Sequence, residues 1–184
     1  MHRKLIAWAL LSIVGALGLS TCGGYVPDER LDAGGPRCVS GTWWTFGDRG
    51  DNNMHPGRAC ISCHTRGHKG PLFAVAGTVF HDYHEADDCN GYPGGPPGDT
   101  SPRAEIEITD NTGIPFVITA NRVGNFYTNH RFTPPLRRAR IRAPGGRVLE
   151  MASPPPHGDC NICHNRDGST SDLGPAPGRL TMPR

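Results

Sequence analysis

After residue 19 the sequence has no apolar run long enough to cross a bilayer, a crossing that takes about 20 consecutive residues. It has little apolar material of any kind. Hydrophobic residues make up 36% of the 184 and aromatic ones 7%, a modest core that something besides side chains is expected to help fill. Neither sign of charge is in excess once the N-terminal residues are set aside. Without Arg3 and Lys4, the 19 Lys+Arg fall by two to match the 17 Asp+Glu, so the basic surplus that nucleic-acid binding requires is missing. Long helices are disfavoured too, because 25 Gly and 18 Pro interrupt the chain and both residues break helix interiors. Residues 22–184 suffice for one loop-rich domain.

The apolar material that does exist is concentrated at the start. Met1-His2-Arg3-Lys4 is a short basic opening, and Leu5 to Leu19 is apolar. That is the n-region and h-region pattern of a secretory signal over residues 1–21. Leu19-Ser20-Thr21-Cys22 resembles the cleavage site of bacterial lipoproteins, in which the cysteine is lipidated and becomes the new N-terminus. Thr21 stands where small residues are usual, so the alternative is a secreted protein whose Cys22 is removed or paired elsewhere. Residues 22–37 are then expected to be a flexible tether spanning roughly 20 Å as a coil.

Seven cysteines remain to be explained. Four lie in two copies of one pattern, "CISCH" at 60–64 and "CNICH" at 160–164. Cys-x-x-Cys alone suits zinc, a redox disulfide or haem. The histidine immediately after it points to haem: two thiols add to the vinyl groups of the macrocycle and the next imidazole bonds the iron. A zinc ribbon needs no histidine there. A thioredoxin-like site would need an α/β pattern around it, which is absent. With 7 Cys and 9 His in the chain, two chance copies are expected in roughly one such sequence in ten thousand, which sets coincidence aside. A zinc site shared by the two Cys-x-x-Cys pairs is the other reading. On these motifs the chain resembles the dihaem c-type cytochromes. The resemblance implies two c-type haems, held covalently by Cys60, Cys63, Cys160 and Cys163, with His64 and His164 as axial iron ligands.

The sixth ligand of each iron is open. Candidates are Met54, His55, His68, His81, His84, His130, Met151, His157 and Met182. Met54 and Met151 are favoured, because they precede their motifs by six and nine residues, enough to round a porphyrin edge. His55, His68 and His157 are the alternatives. Setting Cys22 and the four motif cysteines aside leaves Cys38 and Cys89, which in an oxidising compartment are expected to pair.

Between the motifs, residues 72–151 read as β-structure. "LFAVAGTVF" (72–80) is apolar and β-rich. "AEIEIT" (104–109) alternates, with Ile106 and Ile108 on one face. "IPFVITAN" (114–121), "RVGNFYT" (122–128), "RRARIR" (137–142) and "GGRVLEM" (145–151) follow, separated by turns. Pro115 marks its strand as an edge or a bulge. The fold expected is mainly β, a small antiparallel sandwich flanked by two loop-rich, short-helix segments at 38–71 and 152–184. "VAGTVF" followed by "AEIEITDNTGIPFVITANRVGNFYT" resembles a carboxypeptidase regulatory-like domain, a transthyretin-like sandwich that in that family is typically non-catalytic. The arginines of 137–142 read either as a solvated strand face or as partners for haem propionates or an acidic redox protein. Trp43 and Trp44 read as core or haem-pocket packing.

Together these readings anticipate an exported, lipid-anchored dihaem cytochrome at the periplasm or cell surface. It would pass electrons to redox partner proteins, other cytochromes among them, rather than act as an enzyme. The rivals are a peroxidase-like enzyme with one open iron and a secreted binding or adhesion module with a structural metal.

Overall fold

The computed structural model describes residues 37–67, 70–169 and 175–184. The expected signal, Cys22, the expected tether up to residue 36, and His68 lie outside the described residues. Nine short elements follow one another. They are α1 (Cys60–Gly67), β1 (Val75–Phe80), β2 (Glu105–Thr109), β3 (Pro115–Thr119), β4 (Asn125–Thr128), β5 (Arg138–Arg142), β6 (Val148–Glu150), α2 (Cys160–Cys163) and β7 (Leu180–Thr181). All six strands read from alternation and turn signals are present.

Two sheets make a small β-sandwich, one in the order β4-β1-β7 and the other β3-β2-β5-β6. The alternation in β2 works as expected: Ile106 and Ile108 are buried and Glu105 is exposed. Ile141 in β5 is buried opposite Ile106. Pro115 begins an edge strand, where its missing N–H costs no ladder bond. Val75, Val79, Phe126, Ile108, Ile118 and Ile141 meet between the sheets as the core.

Two features depart from the expected antiparallel sandwich. The two-residue strand β7 comes from the C-terminal tail and pairs with β1 in parallel, Val79 with Leu180 and Phe80 with Thr181. Two residues carry no readable period. Further along the same edge of β1, Ala76 N–H donates to Gly158 O at 2.9 Å and bridges Asp159 in parallel. The second motif and the tail therefore share the edge of β1 that β4 leaves open, and cover it.

The expected disulfide is present: Cys38 and Cys89 are bonded, with Cα atoms 5.3 Å apart and a sequence separation of 51. Trp43 and Trp44 are not core. Trp43 is 37% exposed and bridges Cys89, and Trp44 donates its Nε1–H to Gly47 O within a surface loop. The Arg138–Arg142 run is consumed within its own sheet. Arg138 pairs with Glu150, Arg140 with Glu107 and Glu150, and Arg142 with Glu105 and Glu107. Cross-strand register places these opposite charges side by side, and little net basic surface is left for a partner.

Candidate functional site

The two motifs, a hundred residues apart in sequence, are neighbours in space. Both helices pack on β1. Asp159, the residue before the second motif, reaches across and accepts the N–H of Ser62 in the first turn of α1 at 2.8 Å. One motif thus caps the helix of the other, satisfying an N–H that a helix start leaves without an internal partner. Asp159 is 3% exposed, and burial holds its carboxyl above the usual range, against the lowering effect of the Ser62 bonds.

Two glycines make this approach possible. A Cβ on Gly77 in β1 would lie 2.9 Å from Cys160 Cβ and 2.6 Å from Phe126 Cζ. One on Gly158 would lie 1.8 Å from Ala74 O. The chain carries no side chain where α2 must press against the strand.

A buried polar network locks the junction. Thr78 Oγ1 accepts Gly57 N–H at 2.9 Å and donates to Asn125 Oδ1 at 2.8 Å. Asn161, inside the second motif, donates through Nδ2 to Arg58 O at 2.9 Å and to Thr78 Oγ1 at 3.2 Å. Its Oδ1 accepts Thr78 N–H at 3.1 Å. Asn125 Nδ2 closes on Met54 O at 2.9 Å. The segment entering the first motif, strands β1 and β4, and the second motif are joined through three side chains. Arg179 adds a second tie. It is 2% exposed and donates to Glu85 O, Gly57 O and the Asp87 carboxylate. Sequence reasoning did not single out Asn161, Asp159 or Arg179. Their only signal was polarity, and burial is decided by distant segments.

The histidines of the two motifs share one arrangement. His64 Nδ1 lies 2.8 Å from Pro71 O and His164 Nδ1 lies 3.0 Å from Gly178 O. A carbonyl only accepts, so each Nδ1 carries a proton, and in a neutral ring the lone pair then sits on Nε2. His164 Nε2 is buried with no hydrogen-bond partner. Burial pushes the His164 imidazole below its ordinary value, partly offset by the Gly178 bond, so the ring is neutral near pH 7.

His164 lines a cavity of about 420 Å³ that opens between the two sheets beside α2. Its wall is mostly apolar, with Val75, Ile108, Phe126, Ile141 and Leu149 from both sheets. Cys160, Cys163, Met151 and His157 also stand in the wall. The volume lies within the roughly 300–1,000 Å³ typical of cofactor pockets. The first motif is different: α1 contains no buried residue. His64 packs its ring against Phe73 at 5.0 Å, which packs on Tyr127 at 4.8 Å.

Cys60, Cys160 and Cys163 are free thiols. Burial pushes the Cys60 and Cys160 thiols up to about 12, with the Asp159 carboxylate adding to it. They are therefore protonated at neutral pH, the opposite of what thiol–disulfide catalysis needs. Cys63 is disulfide-bonded. A sulfur cannot hold that bond and a thioether together, so haem attachment at the first motif requires the bond to be absent at that stage.

Of the sixth-ligand candidates among the described residues, Met151 and His157 line the cavity. His157 Nδ1 is buried without a partner, and its Nε2 is 4.0 Å from Cys163 Sγ. Met54 lies in the turn closed by its own N–H on Asp51 O, away from the cavity wall. Both nitrogens of His55 are engaged by carboxylates, Nδ1 with Asp88 at 2.9 Å and Nε2 with Asp48 at 3.1 Å. His84 Nδ1 contacts Arg166 O, His130 stacks on Phe116, and Met182 packs against the core. Among the described residues no three or more His, Cys, Asp or Glu side chains are grouped to hold a metal ion, which leaves the shared zinc site without support. Comparison of the chain with protein-family models, with curated proteins and with solved structures finds no match.

Proposed function

We propose that the chain is an exported dihaem c-type cytochrome that carries electrons at the cell envelope or surface, exchanging them with other redox proteins. The observation that carries this reading is His164. A neutral imidazole is held by a backbone carbonyl at Nδ1, and its other nitrogen is buried without a partner at an apolar cavity whose wall also holds two free cysteines. An orphaned buried acceptor costs about 1–3 kcal/mol unless a group satisfies it. Haem iron is such a group, and a hydrogen bond to the far nitrogen is the usual support of a metal-bound imidazole.

Cys160 and Cys163 would hold the second haem by thioether bonds and His164 would bond its iron. Cys60, Cys63 and His64 would do the same for the first. Met151, with His157 as the alternative, is the sixth-ligand candidate at the second site. When bound, the haem supplies reversible one-electron chemistry at iron. The residues here orient the imidazole, keep it unprotonated and exclude water from its inner side. Lipidation at Cys22 would hold the protein to a membrane through the tether 22–37.

The test is the mass of the denatured protein after export in a host that attaches c-type haem. Two haem adducts are expected, and one after Cys160→Ser with Cys163→Ser. A chain of unmodified mass would refute the reading.

A further inference from the structure

His164 takes its orientation from a segment that follows it by 14 residues. The peptide group between Gly178 and Arg179 is bonded on both sides. Its carbonyl accepts His164 Nδ1–H at 3.0 Å, and its N–H donates to Tyr83 O at 2.8 Å. A peptide is planar and trans, so its C=O and N–H point in opposite directions and turn together. Arg179 supplies the next anchor. Its side chain is almost wholly buried, with the guanidinium carbon 4.9 Å from the centre of the Phe80 ring. Nε donates to Glu85 O at 3.0 Å, Nη1 to Gly57 O at 2.9 Å and Nη2 to the Asp87 carboxylate. These acceptors are themselves held. The Glu85 carboxylate accepts the N–H groups of Val39, His81 and Asp82, and Gly57 N–H donates to Thr78 Oγ1. Leu180 and Thr181 then pair with β1.

Resting on the haem reading at the second motif alone, we infer that Arg179 is a positioning residue for the iron ligand: through the Gly178 carbonyl it holds the His164 ring with Nδ1 protonated and the Nε2 lone pair kept for the metal. A buried guanidinium is costly to desolvate, and apolar side chains would suffice to bury the tail. A planar fork of donors fixes direction as well as position, and direction is what the Gly178–Arg179 peptide needs. Without the fork the carbonyl is free to turn, His164 loses its acceptor, and nothing keeps the ring proton on Nδ1. The bond at Nδ1 also makes the imidazole a more basic ligand, which favours ferric iron, the more positive state. Losing it favours the ferrous state and raises the potential. His64 is the internal control, because its Nδ1 partner is Pro71 O, which Arg179 does not touch.

The experiment compares Arg179→Met, which keeps an apolar stem and removes the donors, with the parent as the full exported chain. Peptide masses first report whether Cys160 and Cys163 carry haem. In the loaded protein a redox titration should show one wave rising, by several-fold in the reduction equilibrium, with any second wave unmoved. Absence of haem removes the parent reading instead, and the clamp is then read on the unloaded chain by nitrogen-15 NMR of the histidine rings at about pH 8, where imidazole is neutral. There the Nδ1–H form of His164 should give way several-fold to the Nε2–H form, with His64 unchanged. Should Arg179→Met fail to fold, Arg179→Lys keeps a positive charge beside Asp87 and gives up the fork to the two carbonyls; the same shifts, smaller, are expected. A folded variant whose wave or His164 ring matches the parent would overturn the inference. So would equal shifts in both waves, or in His64 and His164 alike, because a general loosening of the fold does not single out one ring.

Discussion

Thr78→Val tests whether the buried network is what brings the motifs together. The substitution keeps shape and removes one oxygen. Thr78 is fully buried, and its Oγ1 serves three groups: Gly57 N–H, Asn125 Oδ1 and Asn161 Nδ2. Asn161 keeps its bond to Arg58 O. Gly57 N–H and Asn125 Oδ1 are left without their partner in a region closed to water. Each buried orphan costs about 1–3 kcal/mol, and the added methyl returns part of that by filling the space. The expected net loss is about 2–4 kcal/mol. For a domain of this size that lowers the midpoint of thermal unfolding by roughly 5–15 °C. Urea unfolding followed by circular dichroism measures it, and the slope with denaturant should not change, because the surface exposed on unfolding is the same. A double-mutant cycle with Asn161→Ala should show coupling of at least ~0.5 kcal/mol, since the two side chains touch. A Thr78→Val loss below ~0.5 kcal/mol, the range of ordinary surface changes, would mean that the network does not hold the junction.

Three further outcomes are expected. Cys38→Ser with Cys89→Ser should cost about 2–4 kcal/mol, because the bridge closes a long loop; equal unfolding midpoints for the variant and the oxidised parent would contradict that. Burial pushes the Asp88 carboxyl up, but bonds to His55 and Arg58 outweigh it and hold the group below its ordinary value. A depressed carboxyl stabilises the fold above its unfolded value and loses that contribution as pH falls through the folded one. Acid-induced unfolding below about pH 4 should therefore be shallower in Asp88→Asn, with the variant the less stable protein at pH 7; parallel pH curves would refute the linkage. Cys22→Ala should release the protein from the membrane fraction, since no helix among the described residues is long and apolar enough to cross a bilayer; fractionation showing unchanged association would count against the anchor.

What could be read from the chain alone was whatever depends on near neighbours in sequence. The Cys-x-x-Cys-His copies are contiguous, so the pattern shows in five letters each. The alternation of Ile106 and Ile108 with Glu105 and Glu107 shows because side chains switch faces at every residue. Pairing of Cys38 with Cys89 was legible by a different route, from the number of cysteines and the expected compartment. Tertiary structure decided the rest. Whether a histidine has a free nitrogen depends on which group meets the other one. His164 meets a carbonyl 14 residues later, while His55 meets carboxylates 7 residues before and 33 after it. The same dependence hid the junction of the motifs, where Asp159 finds Ser62 across 97 residues and Asn161 finds Arg58 across 103. β7 went unseen because two residues have no period, and its strand exists only where β1 offers an edge. Local pattern sets which face of an element is apolar, but the partner of a buried polar atom is set by whichever distant segment the packed core brings to it.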